Sequence, residues 1–155
     1  MRVGTGYDVH PLKAGRNLIL GGVHIDHGAG LDGHSDADVL THAVIDALLG
    51  AASLGNIGEH FPPTDERYRD ASSLDLLATA AAAVRDAGYR IVNVDSTVIA
   101  EEPRLQPHLR AMRAKLADRI GIESKAVSVK ATSPEGLGAL GHQEGIAAQA
   151  VALIE

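Results

Sequence analysis

SDADVLTHAVIDALLG, Ser35 to Gly50, decides how the chain is read. Val39, Leu40, Ala43, Val44, Ala47 and Leu48 recur at three- and four-residue intervals, the period of one helix face. Ser35 supplies a cap, and Asp36 and Asp38 fall in the first turn, where carboxylates suit unpaired N–H groups. Gly50 or Gly55 predicts the stop. His42 lies inside this apolar run, and Asp46 follows one turn later on the same face.

Towards the N-terminus, residues 1–9 and 17–25 read as strands. The turn-like residues 13–17 between them predict an antiparallel pair, and a glycine-rich loop then runs from His27 to Asp36. Towards the C-terminus, residues 55–71 have no clear period, which marks a long and often functional loop. A second helix is predicted from Ser73 to Ala87, closed by Gly88, and a third from Gln106 to Ile120, ended by Gly121. Strands are predicted over 90–100 and 126–132, with a glycine-rich loop over 133–145 before a last strand at 145–154. The order predicts an α+β fold in one domain spanning 1–155, with a mixed β-sheet and helices packed on one face.

Composition narrows the chemistry. The hydrophobic fraction is 45% but aromatics only 3%, so the core is aliphatic and elements approach closely. Fourteen Lys+Arg against 20 Asp+Glu give a net charge of −6, which argues against a nucleic-acid partner while leaving an anionic small substrate open. With no cysteine, disulfides and thiolate-bound zinc are excluded, and any metal must use His and carboxylates. No apolar signal core or run of ~18 apolar residues occurs, so a soluble, cytoplasmic protein is expected.

GYDVHP, Gly6 to Pro11, sets Asp8 and His10 two residues apart, and in a strand both point to the same side. With His42 they make three ligands, the number a catalytic zinc takes while keeping a fourth position open. Asp46 is then placed to orient His42. The alternative is a metal-free histidine bonded to Asp46 or Asp38. His34 and Ser35 at the helix start offer donors to phosphate, against a plain capping role for Ser35. In KATSPEGLGALGH, Lys130 to His142, hydroxyls at Thr132 and Ser133, the Glu135 carboxylate and three glycines suit a phosphate loop or an ordinary turn. AEEPRLQPH, Ala100 to His108, is a cation-bearing loop through Arg104 or a solvated connection.

Taken together, these segments resemble the 2-C-methyl-D-erythritol 2,4-cyclodiphosphate synthase family along the whole chain. The matches are Gly6–His10, Gly21–Val23, His34–Asp38, Leu40–Ala52, Leu54–Asp65, Asn93–Asp95, Pro103–His108, Val129–Thr132 and Glu144–Ala147. The resemblance implies a phosphorus–oxygen lyase of non-mevalonate isoprenoid biosynthesis. Its substrate is 4-diphosphocytidyl-2-C-methyl-D-erythritol 2-phosphate, whose 2-phosphate attacks the β-phosphorus, releases CMP and closes a cyclic diphosphate. It implies Zn²⁺ at Asp8, His10 and His42, and Mg²⁺ or Mn²⁺ bridging the substrate phosphates with Glu135 as protein ligand. His34 and Ser133 are implied to stabilise the transition state.

The implied cytidine side is Ala100, Glu101, Glu102, Pro103, Arg104, Leu105 and Gln106, with Ala131, Thr132 and Ser133. The implied methylerythritol side is Asn56, Ile57 and Gly58, with Phe61, Pro62, Pro63, Thr64 and Asp65. Asp8, His10, Ser35, Glu135 and His142 are also taken as substrate contacts. A homotrimer with active sites between subunits is implied, as is a central apolar cavity able to hold a prenyl diphosphate. The chain departs from the family pattern at Asn56, where Asp is common, and at Pro63 and Pro134. Ala139 and His142 stand where an aromatic and an arginine are usual, which bears on the cavity and phosphate binding. Two other functions fit the residues: a zinc hydrolase of phosphate esters, and a trimeric metal- or prenyl-phosphate-binding protein without turnover.

Overall fold

A computed structural model describes residues 1–155. The strands and helices in chain order are β1 (Arg2–Ala14), β2 (Leu18–Leu20), β3 (Val23–Ile25), β4 (Ala29–Leu31), α1 (Val39–Ala52), α2 (Ile57–His60), α3 (Ser73–Asp86), β5 (Ile91–Ile99), α4 (Leu109–Ile120), β6 (Val127–Thr132), α5 (Gly138–Gly141) and β7 (Gly145–Ile154). Five strands form one sheet in the order β4-β1-β7-β5-β6, and β2 and β3 form a separate two-stranded sheet. Only β5 and β6 run parallel, joined through α4, so the sheet is mixed as expected.

Small residues bring α1 onto this sheet. A Cβ added at Gly4 would lie 2.1 Å from the Ala47 carbonyl oxygen, and one at Gly6 would lie 1.9 Å from that of Ala43. Glycine there lets the helix backbone rest directly on β1. Across the same face, Ala148, Ala150 and Ala152 of β7 are buried. α1 itself is buried on nearly every side, from Val39 to Ala52, with α3 packed beyond it. Truncating a buried leucine such as Leu48 to alanine costs about 2–5 kcal/mol. The opposite face carries Val3, Tyr7, Val9 and Val151, all exposed, so the helices cover one side only.

Several expectations change. Residues 17–25 are not a partner strand for β1 but a hairpin, because Gly21 and Gly22 both take positive φ (55° and 72°) and turn the chain. β1 pairs instead with β7, from Arg2 opposite Ile154 to Pro11 opposite Gly145, and its far end pairs with β4. The α1 cap is Asp38 rather than Ser35: its Oδ1 accepts from Thr41 N at 3.0 Å, leaving Asp36 and Asp38 before the first turn. Asp38 also accepts from the N–H groups of Gly21 (2.9 Å) and Gly22 (2.7 Å), which ties the hairpin to the helix start. α1 runs past Gly50 and stops at Ser53, which takes the left-handed conformation at φ 58°. The irregular 55–71 stretch contains α2 and one 3-10 turn, Glu66–Tyr68.

Candidate metal centre and pockets

Strand alternation puts Asp8 and His10 on the helix-facing side of β1, opposite His42 of α1. Asp8 Oδ2 is 2.9 Å from His10 Nε2 and 3.0 Å from His42 Nδ1, and the two nitrogens are 3.2 Å apart. The outward nitrogens assign the tautomers. His10 Nδ1 faces the Asp32 carbonyl at 3.0 Å, an acceptor only, so it donates. His42 Nε2 is 2.8 Å from Ser73 Oγ, whose own proton goes to Asp36, so it too donates. Each imidazole therefore turns a lone pair inward, towards the Asp8 carboxylate.

Three acceptors this close need a cation or a proton between them. Ligands about 2.0–2.2 Å from a tetrahedral zinc lie about 3.3–3.6 Å from one another, so the triangle, with sides of 2.9, 3.0 and 3.2 Å, takes that ion with a small opening. Without a metal a proton fills the role. Burial pushes the Asp8 carboxyl up, but hydrogen bonds and charge from His10 and His42 outweigh it and hold it well below the carboxylate range. Burial disfavours a charged His10, yet the Asp8 carboxylate raises its pKa above the ordinary value.

Asp46 does not orient His42, as its place one turn on predicted. Its Oδ1 accepts from Ile57 N at 2.7 Å and so anchors α2, while Ser73 and Ser35 (3.2 Å) meet His42 Nε2. Burial pushes the Asp46 carboxyl up. Ser73 was not among the residues expected at the site. No local pattern marks it, because it reaches His42 only when α3 packs on α1.

The centre opens into a cavity of about 260 Å³. Asp8, His10, His34, Ser35, His42, Ile57, Gly58, Phe61 and Pro63, all named from the sequence, line it together with Tyr68 and Leu76. His34 Nε2 donates to the Asp65 carbonyl at 3.2 Å. A second cavity, about 480 Å³, is lined by Ala100 to Gln106 and by Ala131, Thr132 and Ser133, the whole set named for a cytidine. Val9 and Ile99 both stand opposite Ala147 of β7, so the two cavities sit at one end of the sheet, about 10 Å apart at the strand level.

Other expected contacts lie outside both cavities. Asn56 caps α2 and donates to Glu59 Oε1 at 2.8 Å. The Asp65 carboxylate is forked by Arg67, at 2.6 Å from Nη2. Pro62, Thr64 and His142 also line neither cavity. Glu135 is exposed, at φ 57°, and belongs to no group of ligands; the Asp8–His10–His42 set is the only one. No helix is long and apolar enough to cross a membrane.

The YgbB family model matches residues 1–155. The chain belongs to the YgbB family. A YgbB relative from Syntrophomonas wolfei, named 2-C-methyl-D-erythritol 2,4-cyclodiphosphate synthase, is 61% identical over 155 residues, 100% of this chain and 99% of that protein. One of the same name from Bordetella petrii is 61% identical over 153 residues, covering 99% and 94%. Among solved YgbB folds, a CDP-bound 2C-methyl-D-erythritol-2,4-cyclodiphosphate synthase superposes with a TM-score of 0.91 at 34% identity, covering 99% of this chain and 100% of that one. The bifunctional IspDF of Campylobacter jejuni superposes at 0.95 with 40% identity; the chain spans 42% of that longer protein.

Proposed function

We propose that the protein converts 4-diphosphocytidyl-2-C-methyl-D-erythritol 2-phosphate to 2-C-methyl-D-erythritol 2,4-cyclodiphosphate with release of CMP. Its YgbB membership supports this, and so does the name its relatives carry. The observation that carries the mechanism is the convergence of Asp8, His10 and His42 on one point beside a cavity. In this reading those residues hold Zn²⁺, which when bound supplies Lewis acidity and a template for a phosphate oxygen.

The 2-phosphate oxygen forms a bond to the β-phosphorus as the bond from that phosphorus to the CMP oxygen breaks. No water enters. Two anionic groups must meet, so the chain's task is positioning and charge neutralisation. His34 and Ser35 offer polar atoms at the cavity wall, while Ile57, Phe61 and Leu76 exclude water from it. Ser133 donates its hydroxyl to Glu101 at 3.0 Å; in this proposal substrate takes that proton instead. The Ala100–Gln106 and Ala131–Ser133 cavity receives the cytidine, a role supported by the CDP bound to a structural neighbour. Asn56, Ile57, Gly58 and Phe61 to Asp65 receive the methylerythritol part, and Glu135 would serve as the protein ligand of a Mg²⁺ or Mn²⁺ that arrives with substrate and neutralises phosphate charge.

The exposed apolar face of Val3, Tyr7, Val9 and Val151 supports burial against further copies, and with it the homotrimer. Both halves of the site then complete one another across subunits, in a cytoplasmic enzyme.

The experiment is turnover of the diphosphocytidyl substrate in ¹⁸O-water by zinc-loaded protein. Unlabelled cyclic diphosphate with one CMP per turnover is expected. A product carrying ¹⁸O assigns a zinc hydrolase instead, and metal binding without CMP release assigns a binding protein.

A further inference from the structure

Both imidazoles of the centre draw outward support, directly or through Ser73, from one short loop, residues 31–36; Lys13 pairs with Asp32 of that loop at 3.5 Å, and Arg16 gathers its backbone. We propose that Arg16 is a positioning residue for metal binding: it clamps the 31–36 loop, which holds His10 directly and His42 through Asp36 and Ser73. The inference rests on the metal reading above.

Arg16 spreads over the loop backbone. Its Nε donates to the Leu31 carbonyl at 3.0 Å, and its Nη2 to those of Ser35 at 3.2 Å and Gly33 at 3.5 Å. Its Nη1 lies 3.9 Å from Asp32 Oδ1. Along this loop Ser35 Oγ lies 3.2 Å from His42 Nε2, and Asp32 and Asp36 present acceptors. The Asp32 carbonyl takes the His10 Nδ1 proton at 3.0 Å. The Asp36 carboxylate accepts from Ser73 N at 3.0 Å and from the Ser73 hydroxyl, whose oxygen then accepts from His42 Nε2 at 2.8 Å. The loop lies close against the His10 ring: a Cβ at Gly33 would meet His10 Cε1 at 3.2 Å and Nδ1 at 3.3 Å. On its other side, a Cβ at Gly30 would lie 2.2 Å from the Asn17 carbonyl oxygen, so the strand leading in rests on the Arg16–Asn17 backbone.

A metal-bound imidazole depends on the acceptor of its other N–H for tautomer and orientation. Here the His10 acceptor lies in, and Ser73 as the His42 acceptor is tied to, a loop whose carbonyls are gathered by one planar, multi-donor guanidinium. Lysine has the charge without the fork, so it does not replace arginine.

The test measures zinc affinity by competition with a chromophoric chelator, using the full chain and its Arg16→Met, Arg16→Lys, Ser73→Ala and His42→Ala variants. Cobalt-loaded visible spectra and metal-free melting curves accompany it. The unaltered protein is expected to hold zinc tightly and His42→Ala to lose it. Both Arg16 variants are expected to lose about 10–100-fold in zinc affinity and Ser73→Ala about tenfold, with shifted cobalt bands.

Failure of the unaltered protein to bind zinc, or equal binding by His42→Ala, defeats the metal reading itself. Normal affinity in Arg16→Met and Ser73→Ala, with only a lowered melting temperature, overturns this inference and leaves the metal reading intact. Normal affinity in Arg16→Lys overturns the fork. Should the Arg16 variants not fold, Ser73→Ala decides whether the loop acts through that hydroxyl.

Discussion

The Asp8–His10–His42 centre and the Ser133–His142 segment present their polar side chains in opposite ways. At the first, each side chain is at least partly buried and each outward nitrogen already has its acceptor. At the second, Ser133, Glu135 and His142 are exposed, and Ser133 spends its hydroxyl on Glu101. The centre is pre-organised within one chain. The loop leaves the side chains of Ser133, Glu135 and His142 facing solvent. Rigid packing of α1 on β1 makes the first kind of site, and a glycine-rich connection makes the second.

The sharpest way to break this contrast is to remove a ligand. Asp8→Asn or His42→Ala is expected to abolish zinc binding and to lower CMP release by about 10³-fold or more, leaving a folded protein. Turnover at the unaltered rate by zinc-free His42→Ala protein would end the proposal.

Asp38 tests whether rigidity comes from packing. It is fully buried and accepts from the N–H groups of Gly21, Gly22 and Thr41. Asp38→Ala strands those donors and is expected to cost about 3 kcal/mol, read from denaturant unfolding. A cost within the range of a surface change, about 0.5 kcal/mol, would mean that the hairpin and helix start hold without it.

Ser133→Ala acts on the open side. It is expected to lower turnover by about 10²-fold with unfolding unchanged within about 0.5 kcal/mol. An equal loss of stability and activity would assign Ser133 to the fold rather than to substrate.

The sign of the pH dependence separates the two states of the centre. In metal-free protein the raised pKa of His10 stabilises the fold fully below its unfolded value of about 6.5, and that stabilisation is lost as pH rises through the raised value. The lowered pKa of Asp8 contributes above its unfolded value of about 3.9 and fails only in strong acid. Zinc needs bare imidazoles, so its binding strengthens over the same rise. Melting temperature from pH 6 to 9 is expected to fall without metal and not with it; parallel curves would refute the exchange of proton for cation.

The smallest effect concerns Asn56→Asp, which restores the acceptor common in the family. A Michaelis constant lowered a few-fold is expected if position 56 touches a sugar hydroxyl. Because Asn56 donates to Glu59, the Glu59→Gln background removes the new repulsion. No change in either background removes position 56 from the site.

Much of this protein was legible in one dimension. Helical spacing located α1 and α3, and the mixed sheet followed from the order of elements. The D-x-H of β1 announced Asp8 and His10 on one strand face, because a strand alternates whatever it pairs with. Even the hairpin had its signal in Gly21-Gly22, which was read through as strand.

Partners were another matter. Nothing in residues 1–9 states that β7, more than 130 positions later, lies alongside, and nothing around Ser73 states that its hydroxyl meets His42. Asp46, one turn from His42, was the nearer choice by spacing and serves α2 instead. Sequence determined residue types and their local faces, since those follow from backbone periods of two and 3.6 residues. The tertiary structure decided which acceptor meets each imidazole, because that depends on how α3 and the 31–36 loop pack across tens of residues, where no local period reaches.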